Sequence, residues 1–221
     1  MARSATTTDP AQRMDRMYRY TRHIYDWTRR PYLLGRDRVL QDMAARPAGH
    51  VLEMGYGTAR NLRVLHEQAP HHTLYGLDAS EAMLNTARAT ASPEVQHAMS
   101  LKQGLAQSVE PRMFGRAAPF DMVLCSYVLS MIPNASAAVD AALNVLAPGG
   151  RLYLVDFWDQ ANWPAPLRWV LQRWLSWFGV HHHPALHAHL DDLAARKRIR
   201  LTRTPIAHRY AYQAVAVKAV S

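Results

Sequence analysis

Residues 51–61 read VLEMGYGTARN. A short apolar run, an acid and two glycines one residue apart suit a buried strand that turns tightly into a helix. Glycine is needed there because the backbone takes unusual dihedrals and a ligand must approach the main chain. Glu53 closes the strand, and Gly55 and Gly57 form the turn. A dinucleotide site would carry a third glycine at position 60, to seat a pyrophosphate on the helix N-terminus. Arg60 stands there instead, which weakens the dinucleotide reading. A ligand-free strand-to-helix turn is the bland alternative.

The flanking sequence repeats the same texture. HVLEM (50–54), HTLYGLD (72–78), FDMVLCSYVL (120–129) and RLYLVDF (151–157) are short apolar strand segments, and a weaker one lies within VQHAMSLKQGLA (95–106). Between them, helices are expected over 58–68, 80–91 and 134–146. Ser80 is placed to cap the second of these, and Pro148 and Gly149 to stop the third. Strands alternating with helices predict an α/β fold, with a mostly parallel sheet covered by helices on both faces. Asp78 ends the second strand, where an acid can accept both hydroxyls of a ribose.

At 221 residues the chain supports one core, with a single domain over 13–221 behind a disordered leader at 1–12. No run of about 18 uncharged apolar residues exists, so no membrane-spanning helix is expected. The leader also lacks the apolar stretch of a secretory signal. The single cysteine, Cys125, excludes an internal disulfide and fits a reducing cytoplasm. A net charge of +9 favours an anionic partner, without choosing among nucleic acid, membrane and small molecule.

E-x-G-x-G at 53–57, Asp78, FDMVLCSYVLSMIP at 120–133 and LAPGGRLYLVDF at 146–157 together resemble class I S-adenosylmethionine-dependent methyltransferases. The resemblance implies a Rossmann-like, seven-stranded sheet whose last two strands lie near 199–206 and 210–219, and S-adenosylmethionine as cofactor. It places Gly55, Tyr56 and Gly57 along the methionine part and sugar, with Glu53 and Asn61 beside them, Asp78 on the ribose, and Ala79 and Met83 about the adenine. Leu105 replaces the family's usual adenine-binding acid, leaving Ala106 or Gln107 for that contact, and Ala59 replaces a third turn glycine. Ser126 and Tyr127 fall where the family contacts the methionine moiety and the methyl-transfer centre.

The segments flanking this core concern the acceptor. HIYDWTRRPYLLGRDR (23–38) looks like the bacterial N-methyltransferases that convert diacylglyceryl-homoserine to a trimethylated betaine lipid. That likeness makes 13–48 a lid. Tyr18, Tyr25 and Arg30 would face the cofactor, Arg22 and Tyr32 the acceptor, and Tyr25 and Tyr127 the transferred methyl. Aromatic faces would stabilise a growing quaternary ammonium.

Residues 158–190 read as a Trp- and His-rich amphipathic insertion. Leu167, Val170, Leu171, Trp174, Leu175, Trp177 and Phe178 share one helical arc, while Trp169 projects from the polar side. Tryptophan flanked by arginine suits an anionic bilayer interface, so a cytoplasmic protein held at the inner membrane face is expected. His181 and His182 are candidates for the headgroup. No metal is expected, since consecutive histidines cannot all face one ion. Nucleic acid is not expected, because Cys125-Ser126-Tyr127-Val128 is no base-flipping motif. Phosphatidylethanolamine, a soluble small molecule, and a non-enzymatic membrane- or nucleic-acid-binding module stand as alternatives. Oligomeric state is not readable from the sequence.

Overall fold

The computed structural model describes residues 33–220. The lid residues Tyr18, Arg22, Tyr25, Arg30 and Tyr32 lie outside them. The strands are β1 (His50–Met54), β2 (Thr73–Asp78), β3 (Met99–Gln103), β4 (Phe120–Ser126), β5 (Leu146–Phe157), β6 (Ile199–Ile206) and β7 (Ala211–Lys218). The helices are α1 (Arg36–Ala44), α2 (Arg60–Gln68), α3 (Glu81–Thr90), α4 (Pro93–His97), α5 (Ala135–Asn144), α6 (Ala165–Trp177) and α7 (Pro184–Ala195).

One sheet runs in the order β3-β2-β1-β4-β5-β7-β6, with β7 antiparallel to both neighbours and the remaining pairs parallel. The chain moves outward from β1 to β3 and then returns to β4 on the other side of β1. That reversal opens a crevice at the carboxyl ends of β1 and β4, where open α/β sheets bind ligands.

Alternation along the strands divides the core in two. Leu52, Met54, Val123, Cys125, Leu152 and Leu154 face the layer that contains α5 and α7. Val51, Leu124, Tyr153 and Val155 face Val39, Leu40 and Met43 of α1 and Leu62 and Leu65 of α2. The apolar spacing in α1 and α2 supplies one buried stripe each, which is why these short helices hold.

Ser80 caps α3 as its sequence suggests, with its hydroxyl accepting from Met83 N at 3.4 Å. Ser80→Ala is expected to lower stability by about 1 kcal/mol in urea denaturation, since a cap acceptor is removed from a buried helix end. The expected stop at Pro148 and Gly149 is corrected. α5 ends at Asn144, and residues 147–150 lie inside β5, where the register against β4 shifts between Phe120 and Met122. A strand irregularity of this kind tolerates a proline, because no ladder donor is required of it. β4 likewise ends at Ser126 rather than 129, because Tyr127 turns to φ 54° and a short 3₁₀ turn, Leu129–Met131, follows.

The amphipathic arc expected in the Trp-rich segment is divided by the fold. Leu175 is buried and Leu171, Trp174 and Phe178 are half-buried, whereas Leu167, Val170 and Trp177 from the same arc are 57%, 57% and 75% exposed. Trp169 joins them at 67%. Among the described residues no helix is long and apolar enough to cross a membrane.

Candidate active site

The turn after β1 shows why its two glycines are there. Gly55 has φ 74°, and a β-carbon built on it would lie 2.2 Å from Val128 Cγ2 and 2.7 Å from Val128 Cβ. Gly57 has φ 55° but faces space with no atom within 4 Å. The first glycine is demanded by the protein itself; the second leaves room for something outside it. Ala59 occupies the left-handed region at φ 59° without glycine's freedom, and α2 starts from it.

Glu53, 1% exposed, lies beneath this turn. Its Oε1 accepts from Asn61 Nδ2 at 2.7 Å, and its Oε2 is buried with no partner among the described residues. Burial pushes its carboxyl up to about 8, against the Asn61 hydrogen bond and the nearby Arg36 charge. Arg36 opens α1, and its guanidinium is held below its usual range by burial and by Arg60. The Arg36 Nε donates to Leu33 O at 3.3 Å. Arg60 is engaged elsewhere, donating to Asp37 at 3.1 Å and Asn61 Oδ1 at 3.4 Å. A buried carboxyl group and a partly buried guanidinium thus lie within electrostatic reach of each other.

Asp78 ties two elements together. Its Oδ2 accepts from Gly57 N at 2.8 Å and its Oδ1 from Ser80 N at 2.9 Å. These bonds fix the carboxylate at the carboxyl end of β2, beside the space over Gly57. Ala79 O accepts from Gln103 Nε2 at 3.1 Å, and Met83 is fully buried below it. Leu105, 45% exposed, begins the 3₁₀ turn that contains Ala106. An exposed leucine beside the ends of β2 and β3 provides an apolar wall where the family places adenine.

Tyr56 enters the turn by its backbone alone. Its ring is buried in the core over Gly76, where a β-carbon would come within 2.7 Å of Tyr56 Cδ1. Ser126 Oγ is buried without a partner among the described residues. The Tyr127 hydroxyl donates to Leu34 O at 2.7 Å, and its ring meets Phe157 edge-on at 4.8 Å. It therefore fastens the segment before α1 over the end of β4. His181 and His182 are exposed, and His181 N donates to Ser130 O at 2.8 Å. His183 and His187 are half-buried, each with one buried ring nitrogen, Nε2 and Nδ1 respectively. Among the described residues no group of three or more His, Cys, Asp or Glu is arranged to hold a metal.

These residues suit the ends of S-adenosylmethionine. The partnerless Glu53 oxygen matches an ammonium, Arg36 a carboxylate, the space over Gly57 a sugar, and Asp78 its hydroxyls. Sequence reasoning missed Arg36, because a lone arginine in RDRVLQDMA carries no periodic or motif signal. Only the packing of α1 against α2 and β5 brings its charge near Glu53.

A methyltransferase-domain family profile matches residues 26–196. A trans-aconitate 2-methyltransferase of Azoarcus sp. is 29% identical over 121 residues, covering 53% of this chain and 44% of that protein. A demethylmenaquinone methyltransferase of Deinococcus radiodurans is 30% identical over 154 residues, covering 67% of this chain and 62% of the relative. The chain thus spans less than two thirds of the length of either. In fold it is similar to a methyltransferase structure from Aquifex aeolicus, with a TM-score of 0.64 at 16% identity over 91% of this chain and 98% of the other. Two acids and two glycines at the carboxyl ends of β1 and β2, within a sheet of this strand order, agree with the profile match. The chain belongs to the methyltransferase-domain family.

Proposed function

We propose that this protein transfers methyl groups from S-adenosylmethionine to the amine of a polar lipid headgroup, with diacylglyceryl-homoserine as the first acceptor and phosphatidylethanolamine as the second. When bound, the cofactor supplies an electrophilic methyl. As the acceptor's bond to carbon forms, the carbon–sulfur bond breaks, its electron pair stays on sulfur, and an N–H acceptor gives up one proton. The chain's own work is to orient the acceptor and exclude water.

The outward face of α6 is the observation that carries the lipid reading. Of the seven large apolar side chains exposed among the described residues, four (Leu167, Trp169, Val170 and Trp177) lie on this one helix. Arg173 is exposed on the same side, and the chain carries +9 overall. Tryptophans flanked by arginine suit the interface of an anionic bilayer. Leu171 of the inward face, together with Trp163 and Phe157, packs against the cluster that contains Tyr127 and Tyr210. A lipid bound to α6 would therefore present its headgroup near the end of β4.

Labelled S-adenosylmethionine, incubated with anionic vesicles that carry either lipid, is expected to label the amine. The Trp169→Ser/Trp177→Ser double variant should lose about tenfold in transfer from vesicles, roughly 1.4 kcal/mol of surface binding, with cofactor affinity unchanged. Labelling of a soluble amine with none of either lipid would remove the lipid claim. A second reading, transfer to a quinone, is favoured by the likeness to the demethylmenaquinone enzyme. Vesicles carrying demethylmenaquinone separate the two.

A further inference from the structure

RKRIR, residues 196–200, holds four of the chain's 26 Lys and Arg residues, and the fold gives them different surroundings. Arg196 is paired with Asp192 at 2.9 Å, and Arg198 is exposed. Lys197 and Arg200 instead join Arg151 and Lys218 in lining a recess of about 650 Å³ where β7 ends and β6 begins. This is the end of the sheet away from the cofactor crevice. β7 runs from Ala211, opposite Phe157, to Lys218, so roughly 23 Å of strand separates the two ends. α6 packs near Tyr210 at the crevice end, so a bilayer held by α6 does not cover the recess.

The recess is built from paired strands. Arg151 of β5 and Arg200 of β6 both pair with Val217 of β7, so all three side chains share one face. Two strand spacings put about 10 Å between the arginine Cα atoms. Among the described residues, the side chains of Arg151, Arg200 and Lys197 have no ion pair or hydrogen bond. Arg203, on the same strand as Arg200, is by contrast paired with Asp191 at 3.0 Å. No acid is among the residues that line the recess. Lys218 is fixed in its wall, with Nζ donating to Leu143 O at 2.8 Å and Leu146 O at 2.7 Å. Burial, then Arg198, holds its ammonium below the usual range.

Lys197 carries a second sign of use. It takes φ 56° just after the C-cap of α7, a position that favours glycine, yet the residue there is a lysine whose side chain lines the recess. Val217 and the 79% exposed Val220 add apolar surface. Cations without an acid to neutralise them suit a ligand of several negative charges, and a guanidinium fork matches phosphate oxygens two at a time. The volume falls within the range of about 300–1,000 Å³ usual for small-ligand sites.

We propose that this recess is a second ligand site, apart from the cofactor crevice, that holds a soluble polyphosphate-bearing molecule with its phosphates on Arg151, Arg200 and Lys197. The site is independent of which acceptor is methylated.

Calorimetric titration of the full chain with inorganic tripolyphosphate, and separately with fructose 1,6-bisphosphate, tests this with the cofactor crevice filled by S-adenosylhomocysteine. At least one probe is expected to bind with unit stoichiometry and to weaken as salt rises. The tighter of the two tells whether an inorganic chain or a phosphate ester is the source. Arg151→Gln and Arg200→Gln should each weaken binding about tenfold. Neither should change the thermal midpoint or the affinity for S-adenosylhomocysteine, because neither side chain has a partner to lose. Arg198→Gln removes an equal charge from the same run but outside the recess, and should weaken binding less than about threefold. Equal losses in Arg198→Gln and Arg200→Gln would reduce the recess to a diffuse basic surface and overturn the proposal. Failure of both probes to bind at millimolar concentration in low salt would also overturn it, as would tighter binding of a single-stranded oligonucleotide.

Discussion

Alanine at Gly55 is expected to lower stability by about 3–5 kcal/mol, combining a left-handed backbone that L-residues resist with overpacking against Val128. Val128 cannot yield cheaply, because its β-carbon as well as a terminal methyl lies within 3 Å of the new side chain. For a domain of this size the midpoint of thermal unfolding should fall by roughly 6–20 °C. Gly57→Ala is the matched control. It carries only the dihedral penalty and should unfold within about 2 kcal/mol of the parent. Its β-carbon nevertheless enters the space expected for the cofactor, so calorimetric titration should show weakened S-adenosylmethionine binding. Equal loss of stability in both variants would mean that Val128 does not define the turn.

S-adenosylmethionine should bind more tightly as pH rises from 6 to 8, by up to about tenfold per unit, because Glu53 must ionise to receive an ammonium. Its folded carboxyl is raised to about 8 against an ordinary 4.5. The native state therefore holds a proton that the unfolded chain has released between those values. Stability from this group is complete below about pH 4.5 and is lost as pH rises toward 8. Asp156, raised from 3.8 to about 6, adds a decline over the lower part of the same range. Cofactor binding at pH 7 should then release a proton, visible as a dependence of calorimetric heat on the buffer's ionisation enthalpy. Glu53→Gln should abolish both the release and the pH slope, while 5′-methylthioadenosine, which lacks the amino-acid end, should show neither in either protein. Proton-independent binding of S-adenosylmethionine would remove Glu53 from the role.

The parallel core was legible because it is written in local terms. Strand lengths, the Gly55–Gly57 turn, the Ser80 cap and Asp78 at a strand end each depend on a few adjacent residues. The bulged entry of β5 was missed because LAPGG has the composition of a helix stop, and only pairing with β4 shows that it belongs to a strand. Tyr56 illustrates the same limit within the motif. Its position in the turn was legible, but that its ring fills the space over Gly76 was not. Among the histidines, the run at 181–183 was legible, but that His187 joins His181 and His183 at one recess was not, because His187 lies past the run, within α7.

By itself the sequence determined the strand–helix alternation and the acids and glycines at the strand ends, because hydrophobic period and backbone freedom are properties of short segments. The tertiary structure alone decided which residues of the Trp-rich arc face outward, that the Arg36 charge lies near Glu53, and that Ser130, Asp156, His183, His187 and Tyr212 line one recess. Those juxtapositions join residues as much as 82 positions apart in the chain, and burial and side-chain contact between them arise only once the sheet has closed.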